Sequence, residues 1–335
     1  MKITQTLPQS QWRHFVDHHP HGNIFHTPEM FQVFAQSKGY TPSVWAALDE
    51  EGEVVSLFTP VEVTLMPGLA RYLTTRSIAY GGILYQPTPV GEEGVALLLQ
   101  TYTRCADKTF LFTELRNLSD VTDIQPLLLQ CGFAYEEHLN YLVDLHRPPE
   151  AILQGMGRRT RKQIRRGLKQ GQVIIEEAHS LEQVAIGYRL LQKSYANAHV
   201  PLPDISLFEA TFSILFPKNR VKFLLARIGE EYVASSVELL YKDTIYGWYG
   251  GVDRSYSRYL PNELLLWHIF QWGAEHGFKT YDFGGAGSPH KPYGVRDFKA
   301  KFGGKLVCYG RNTCIHAPIR LALSKIGYRL LVRFL

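Results

Sequence analysis

The sequence lacks the marks of several large function classes. No GxGxxG or GxxxxGKS stands at a strand-to-helix turn, so a dinucleotide or P-loop cofactor site is not indicated. No stretch approaches 18 uninterrupted apolar residues, and the opening MKITQTLPQSQWRHF has no apolar core of the kind a secretory leader needs. The expected location is therefore the cytoplasm. Cysteine is scarce. Cys105, Cys131, Cys308 and Cys314 fit no zinc or CxxC spacing and read as buried or free thiols of a reducing compartment, with no metal expected. Low-complexity tracts and Ser/Gly linkers are missing too, so the whole chain is expected to fold. Charge is unevenly withheld: the first 70 residues hold only Lys2, Arg13 and Lys38 as cations, and no acid lies between Glu150 and Glu176.

What is present is a repeated pattern. A chain of 335 residues is long enough for about two domains. Val44–Val63 and Phe223–Tyr241 both read as strand, acidic turn, strand. Ala79–Tyr85, a helix over Glu92–Ala106 and a strand over Lys108–Arg116 follow the first pair. Tyr246–Gly251, a helix over Pro261–Glu275 and a strand over Lys279–Gly285 follow the second. The offset of roughly 170 to 180 residues throughout predicts a tandem duplication, with domains at 1–145 and 146–316 and residues 317–335 able to pack back on the first. Strand pairs followed by a helix and a further strand make an α/β (α+β) fold with mixed, mostly antiparallel sheets flanked by helices.

Two basic segments frame the second half. GRRTRKQIRRGLKQG, Gly157–Gly171, carries seven Lys or Arg. As a helix it sets Arg158, Arg161, Arg165 and Lys169 along one stripe, with Arg159, Lys162 and Arg166 beside it. A solvated helix usually interleaves acids, each i,i+4 pair contributing roughly 0.2–0.5 kcal/mol. Their absence favours contact with phosphates of RNA or of a nucleotide- or lipid-linked precursor. The end, Ala317–Leu335, interleaves Arg320, Lys325, Arg329 and Arg333 with large apolar residues and no acid. It reads as an amphipathic helix that either docks on the protein or lies on the anionic inner face of a membrane.

The densest chemistry lies in YDFGGAGSPHKPYGVRDFKAKFGG, Tyr281–Gly304, where six glycines stand among Asp282, His290, Lys291, Arg296, Asp297, Lys299 and Lys301. This closing stretch, the segment Tyr141–Gly171 and YANAHVPLP, Tyr195–Pro203, together resemble the FemAB family. Those proteins are tandem acetyltransferase-fold (GNAT) enzymes that include peptidoglycan bridge-forming aminoacyltransferases; with no heptad insertion, the chain is similar to the members without a coiled-coil arm. The resemblance implies two tandem GNAT-like domains and amide formation, with an aminoacyl group passing from aminoacyl-tRNA to an amine of a peptidoglycan or cell-envelope precursor. No cofactor is implied beyond the co-substrate.

Lys299 matches the family lysine associated with the tRNA acceptor end and with charge developing in the transition state, a task suited to a compact cation with three donors. Phe298 matches its aromatic neighbour and is placed to stack on a base. Asp282 either takes part in handling the amine's proton or bonds to the glycine turn that follows it. Asp297 ranks below it, because Arg296 and Lys299 are expected to hold it ionised. Tyr249, His199, His290, Arg296 and Lys301 complete the substrate- and donor-binding set. The chain departs from the family at Ala198, where an arginine is expected beside His199, which argues against a UDP-linked acceptor. Arg158, Arg161 and Arg165 would then supply phosphate contacts for a lipid-linked one. Two alternatives stay open. An acyl-CoA N-acyltransferase acting on an amino sugar would need a glycine-rich phosphate turn, and Val252–Asn262 contains no glycine. A non-catalytic RNA-binding or membrane-docked scaffold would use the basic segments alone.

Overall fold

The computed structural model describes residues 1–106 and 110–334, with 328–334 described by backbone alone. The expected strand from Lys108 therefore begins outside the described residues, as do the side chains of Arg329 and Arg333. The chain forms two compact units, one of residues 1–137 with 309–335 and one of residues 138–308.

The first unit runs through β1 (Lys2–Thr4), α1 (Gln9–His18), α2 (Pro28–Ala35), β2 (Tyr40–Pro42), β3 (Trp45–Leu48), β4 (Val54–Phe58), β5 (Val61–Thr64), α3 (Arg71–Thr74), β6 (Thr75–Gly81), β7 (Ile83–Tyr85), α4 (Pro89–Ala106), β8 (Phe112–Asn117), α5 (Gln125–Gln130) and β9 (Ala134–Glu136). The second holds β10 (Leu139–Asp144), α6 (Pro149–Gly155), α7 (Arg158–Gln170), β11 (Ile174–Glu177), α8 (Leu181–Asn197), α9 (Ile205–Leu215), β12 (Val221–Ile228), β13 (Glu231–Tyr241), β14 (Thr244–Val252), α10 (Pro261–Glu275), β15 (Thr280–Asp282), α11 (Gly294–Ala300) and β16 (Lys305–Cys308). The chain then returns to the first unit as β17 (Arg311–Ile315) and α12 (Pro318–Phe334).

The strands of the first unit form two sheets, β1-β3-β4-β7 and β2-β5-β6-β8-β17-β9. The expected pair over Val44–Val63 is there but broken, because Pro60, with no N–H to give a ladder, separates β4 from β5. Helix α4 covers this unit's core with Val95, Leu98, Leu99 and Tyr102 buried. The Tyr102 hydroxyl donates to Ser77 Oγ at 2.7 Å, so the one polar atom it buries is satisfied.

The second unit has one seven-stranded sheet, β11-β12-β13-β14-β15-β10-β16, with only β14 and β15 parallel. Helix α10 begins at Pro261, as expected of a residue whose missing N–H costs nothing there. It buries Leu264, Leu265, Trp267, Ile269 and Phe270 against the sheet, while Trp272 lies half-buried at the edge. The repeat is visible in the topology. In each unit antiparallel strands lead into a helix, α4 or α10, and then a strand parallel to the one that precedes it in its own sheet, β8 beside β6 and β15 beside β14.

The unit boundaries correct the expected ones. Residues 139–144 belong to the second unit, because β10 is hydrogen-bonded between β15 and β16. Residues 311–315 belong to the first, because β17 lies between β8 and β9. The linker lies near residue 137 instead of 145. None of the four cysteines is in a disulfide; Cys105 and Cys308 are exposed, and Cys131 and Cys314 are partly buried.

Candidate active site

The sheet of the second unit opens at one place. Strand β14 pairs with β15 only through Thr244–Tyr246 against Thr280–Asp282, and beyond Tyr246 it is held on its other side by β13 alone. The chain leaves β15 in a turn, Phe283–Gly287, where Gly284 (φ 77°) and Gly285 (φ 133°) take backbone angles that a side chain disfavours.

Side chains from three elements hold this turn. Asp282, 4% exposed, accepts at Oδ1 from Asn140 Nδ2 (2.6 Å) and from the Gly284 N–H (2.7 Å). Asn140 Oδ1 in turn accepts from the Gly285 N–H at 2.9 Å. From α11, Lys299 Nζ donates to the carbonyl oxygens of Phe283 (2.6 Å) and Gly285 (2.5 Å). The combination of glycine and ionisable groups thus has a local cause. A turn with left-handed backbone needs external donors and acceptors, and Asp282, Asn140 and Lys299 supply them.

Lys299 is half-buried as a residue, with its ammonium the enclosed part. Desolvation lowers its pKa from 10.5 to about 8, and the nearby Asp282 carboxylate opposes that shift. Burial likewise raises the Asp282 carboxyl above its usual range, against the opposing hydrogen bonds of Asn140 and Gly284 and the charge of Lys299. Two of the three ammonium protons are spent on the turn. Nζ also lies 5.5 Å from the centre of the Phe283 ring, at the end of the strand that pairs with β14.

The other expected site residues divide. Phe298 is half-buried, 5.2 Å from the core residue Phe302, with Lys301 Nζ 5.5 Å from its ring centre. Tyr249 lies on the unpaired half of β14 among Tyr195, Phe208 and Trp248. His199 (φ 52°) is exposed after α8, and His290 is exposed in the loop before α11. Arg296 is spent on structure, its guanidinium donating to the carbonyls of Ser288 and Lys291, both at 2.7 Å. Asp297 is exposed and unpaired by the neighbours expected to hold it, since Arg296 and Lys299 both turn to carbonyls.

The basic helix α7 is also sorted by its surroundings. Thr160, Ile164 and Gly167 face inward, and Gly171 (φ 62°) ends the helix. Arg161 donates to the Gln154 carbonyl at 2.8 Å and Arg165 pairs with Glu150, both on α6. These two are therefore not the free phosphate ligands that the stripe suggested. Arg158, Arg159, Lys162 and Arg166 instead line a solvent-open concavity of about 710 Å³. The Gly157 N–H donates to the Lys301 carbonyl at 3.0 Å, tying the start of α7 to the end of α11.

With this geometry the chain can be compared with known proteins. The family model described as an acetyltransferase (GNAT) domain matches residues 156–292. The solved structure of FemX superposes over 98% of this chain and 100% of its own, with a TM-score of 0.73 at 17% identity. The chain has a FemAB-like tandem GNAT fold. A tandem GNAT protein from the clavulanic acid pathway also superposes, over 95% of this chain and 99% of that one, with a TM-score of 0.60 at 10% identity. In sequence, the lipid II:glycine glycyltransferase of Staphylococcus haemolyticus is 33% identical over 76 residues, which are 22% of this chain and only 18% of that protein.

Within the tandem GNAT fold, sequence reasoning missed three residues. Asn140 reaches the turn from β10, which the expected boundary assigned to the other domain. His138 has its ring beside Gly285, whose absent Cβ would come 3.2 Å from Nε2. Glu238 on β13 is fully buried and accepts from the Tyr281 hydroxyl. The one available signal for Glu238 was its place as the one charged residue in the strand segment VASSVELLY. Among the described residues, no three His, Cys, Asp or Glu gather as ligands for a metal.

Proposed function

We propose that this protein is an acyltransferase that forms an amide bond, moving an aminoacyl group from aminoacyl-tRNA to an amine of a peptidoglycan or related cell-envelope precursor. The observation that carries the reading is Lys299: an ammonium with pKa about 8, fixed on two carbonyls of the turn that leaves β15, with three protons and two carbonyl acceptors. A neutral amine attacks the ester carbonyl, and the carbonyl oxygen becomes an oxyanion that the third Lys299 proton stabilises. Collapse of that intermediate breaks the ester C–O bond. The amine loses a proton and the departing ribose oxygen gains one, so no net acid or base is consumed.

Asp282 acts in this scheme as the charge that keeps Lys299 protonated and as the anchor of the turn, since both donors it receives are structural. Tyr249 and Phe298 supply aromatic surface for the donor's terminal base. Arg158, Arg159, Lys162 and Arg166 provide cations for the phosphates of the donor. The acceptor class is suggested by the lipid II glycyltransferase relative, whose name states that substrate. An acyl-CoA donor is less well supported. The expected phosphate turn is here a 3₁₀ segment, Arg254–Tyr259, followed by the left-handed Leu260, and offers no glycine loop.

The test is donor deacylation that depends on an added amine, measured with a panel of charged tRNAs and acyl-CoAs. Turnover with tRNA donors is expected. Turnover with CoA donors alone would replace the donor, and amine-dependent turnover with none would leave the scaffold reading.

A further inference from the structure

The first unit carries a surface that the acyl-transfer reading does not use. Helix α12 packs on α3. Its side toward the protein carries Leu321 and Ser324, both partly covered. Ile319, Leu323 and Ile326, spaced i, i+4, i+7, form the opposite side and are exposed, Ile319 to 78%. Docking of this helix therefore leaves these three large apolar side chains uncovered.

The segment it packs on does the same. Between β5 and β6 the chain exposes Leu65, Leu69 and Tyr72, with Leu69 87% accessible. Two sequence-distant elements thus touch and both present large apolar side chains to water, which a monomeric soluble surface rarely does.

Charge selects the occupant. The sequence of α12 carries Arg320, Lys325, Arg329 and Arg333 and no acid, and Lys325 is exposed beside the apolar stripe, while Arg71 in the other segment is already paired with Glu62 at 3.6 Å. No acid lies between Glu62 and Glu92, and none follows Asp297. An apolar stripe bordered by cations whose stems can cover apolar surface is suited to the headgroup boundary of an anionic bilayer. No helix among the described residues is long and apolar enough to cross a membrane.

We infer that α12 and the 65–74 segment together form a docking surface for anionic phospholipid, with the apolar side chains entering the boundary and the basic residues of α12, Lys325 foremost, meeting the headgroups. The full-length protein should co-sediment with phosphatidylcholine vesicles containing phosphatidylglycerol, more weakly at high salt, and not with phosphatidylcholine alone. Leu69→Asp and Leu323→Asp, at exposed positions, should each weaken vesicle binding about tenfold or more without lowering the melting temperature. The pair Arg320→Glu and Lys325→Glu should abolish the preference for phosphatidylglycerol. Binding that ignores lipid charge, or no binding at all, overturns the inference. So does a stable dimer that Leu323→Asp converts to monomer, because the face would then join two copies. Vesicle binding is read without turnover, so its failure is distinct from failure of the proposed activity.

Discussion

The Tyr281 hydroxyl donates to the Glu238 carboxylate at 3.1 Å inside the core of the second unit, beneath Gly247, whose absent Cβ would come 2.3 Å from that hydroxyl. Burial raises the carboxyl from 4.5 to about 7, and the neutral hydroxyls of Ser236 and Tyr281, which act in the opposite direction, do not offset the loss of solvent. The folded state therefore holds a proton that the unfolded chain has released between those values. Stability from this group is full below about pH 4.5 and is lost as pH rises through 7, a loss on the order of 3 kcal/mol. Glu238→Gln should remove that slope. Denaturant unfolding at pH 5 and pH 8 checks it: wild type should lose more stability across that interval than the variant, and equal slopes would mean that Glu238 ionises freely.

Lys299→Ala should cut turnover about a hundredfold or more, the usual cost of removing one donor from a developing oxyanion. The variant also frees the turn carbonyls, so the sharper readout is pH. With a pKa of about 8, Lys299 loses its charge above that pH, and kcat should fall there. Lys299→Arg keeps the charge and should flatten the alkaline fall, whatever rate it retains. A wild-type rate that rises through pH 8 would make the neutral amine the active form and assign Lys299 to proton abstraction.

Asp282→Asn separates anchor from charge. An amide oxygen still accepts from Asn140 and Gly284, so the turn should persist, but the anion that supports the Lys299 proton is gone. The alkaline fall in kcat should move to lower pH. Asn140→Ala instead leaves the Gly285 N–H without its acceptor and should cost about 1 to 3 kcal/mol of stability. A pH profile unchanged in Asp282→Asn would show that the carboxylate does not act on Lys299.

The repeat, the helix from Pro261 and the glycine-rich stretch were legible because each rests on local chemistry: a proline at a helix start, a period of about 3.6, glycines where φ is positive. The boundary near 145 was misread because β10 looks like any strand after β9, and only its hydrogen bonds to β15 and β16 assign it. Asn140 and His138 fell with it, since their proximity to Gly285 is created by a pairing 145 residues apart in the chain. Arg296 shows the opposite error. Its position in a chemical stretch suggested a ligand, whereas the loop before α11 needed a donor for two carbonyls. Helix periodicity aligned Arg158, Arg161, Arg165 and Lys169 along α7 but could not reveal that Glu150 and Gln154 of α6 would engage only one flank of it.

That division of α7 gives the last prediction. Arg159, Lys162 and Arg166 line the open concavity, while Arg165 is paired with Glu150. If the donor is tRNA, changing the first three to Gln should weaken binding of deacylated tRNA and reduce the slope of log affinity against log salt by about 1 for each phosphate that the helix no longer neutralises. Arg165→Gln removes a cation of the same helix whose charge is already met, and an exposed pair of this kind contributes at most about 1 kcal/mol to stability. Its effect on tRNA affinity should be small. Fluorescence anisotropy with labelled tRNA across a salt series measures both. Equal weakening by Arg165→Gln and by single changes at Arg159, Lys162 or Arg166 would mean that α7 attracts RNA by its total charge, with no selected face.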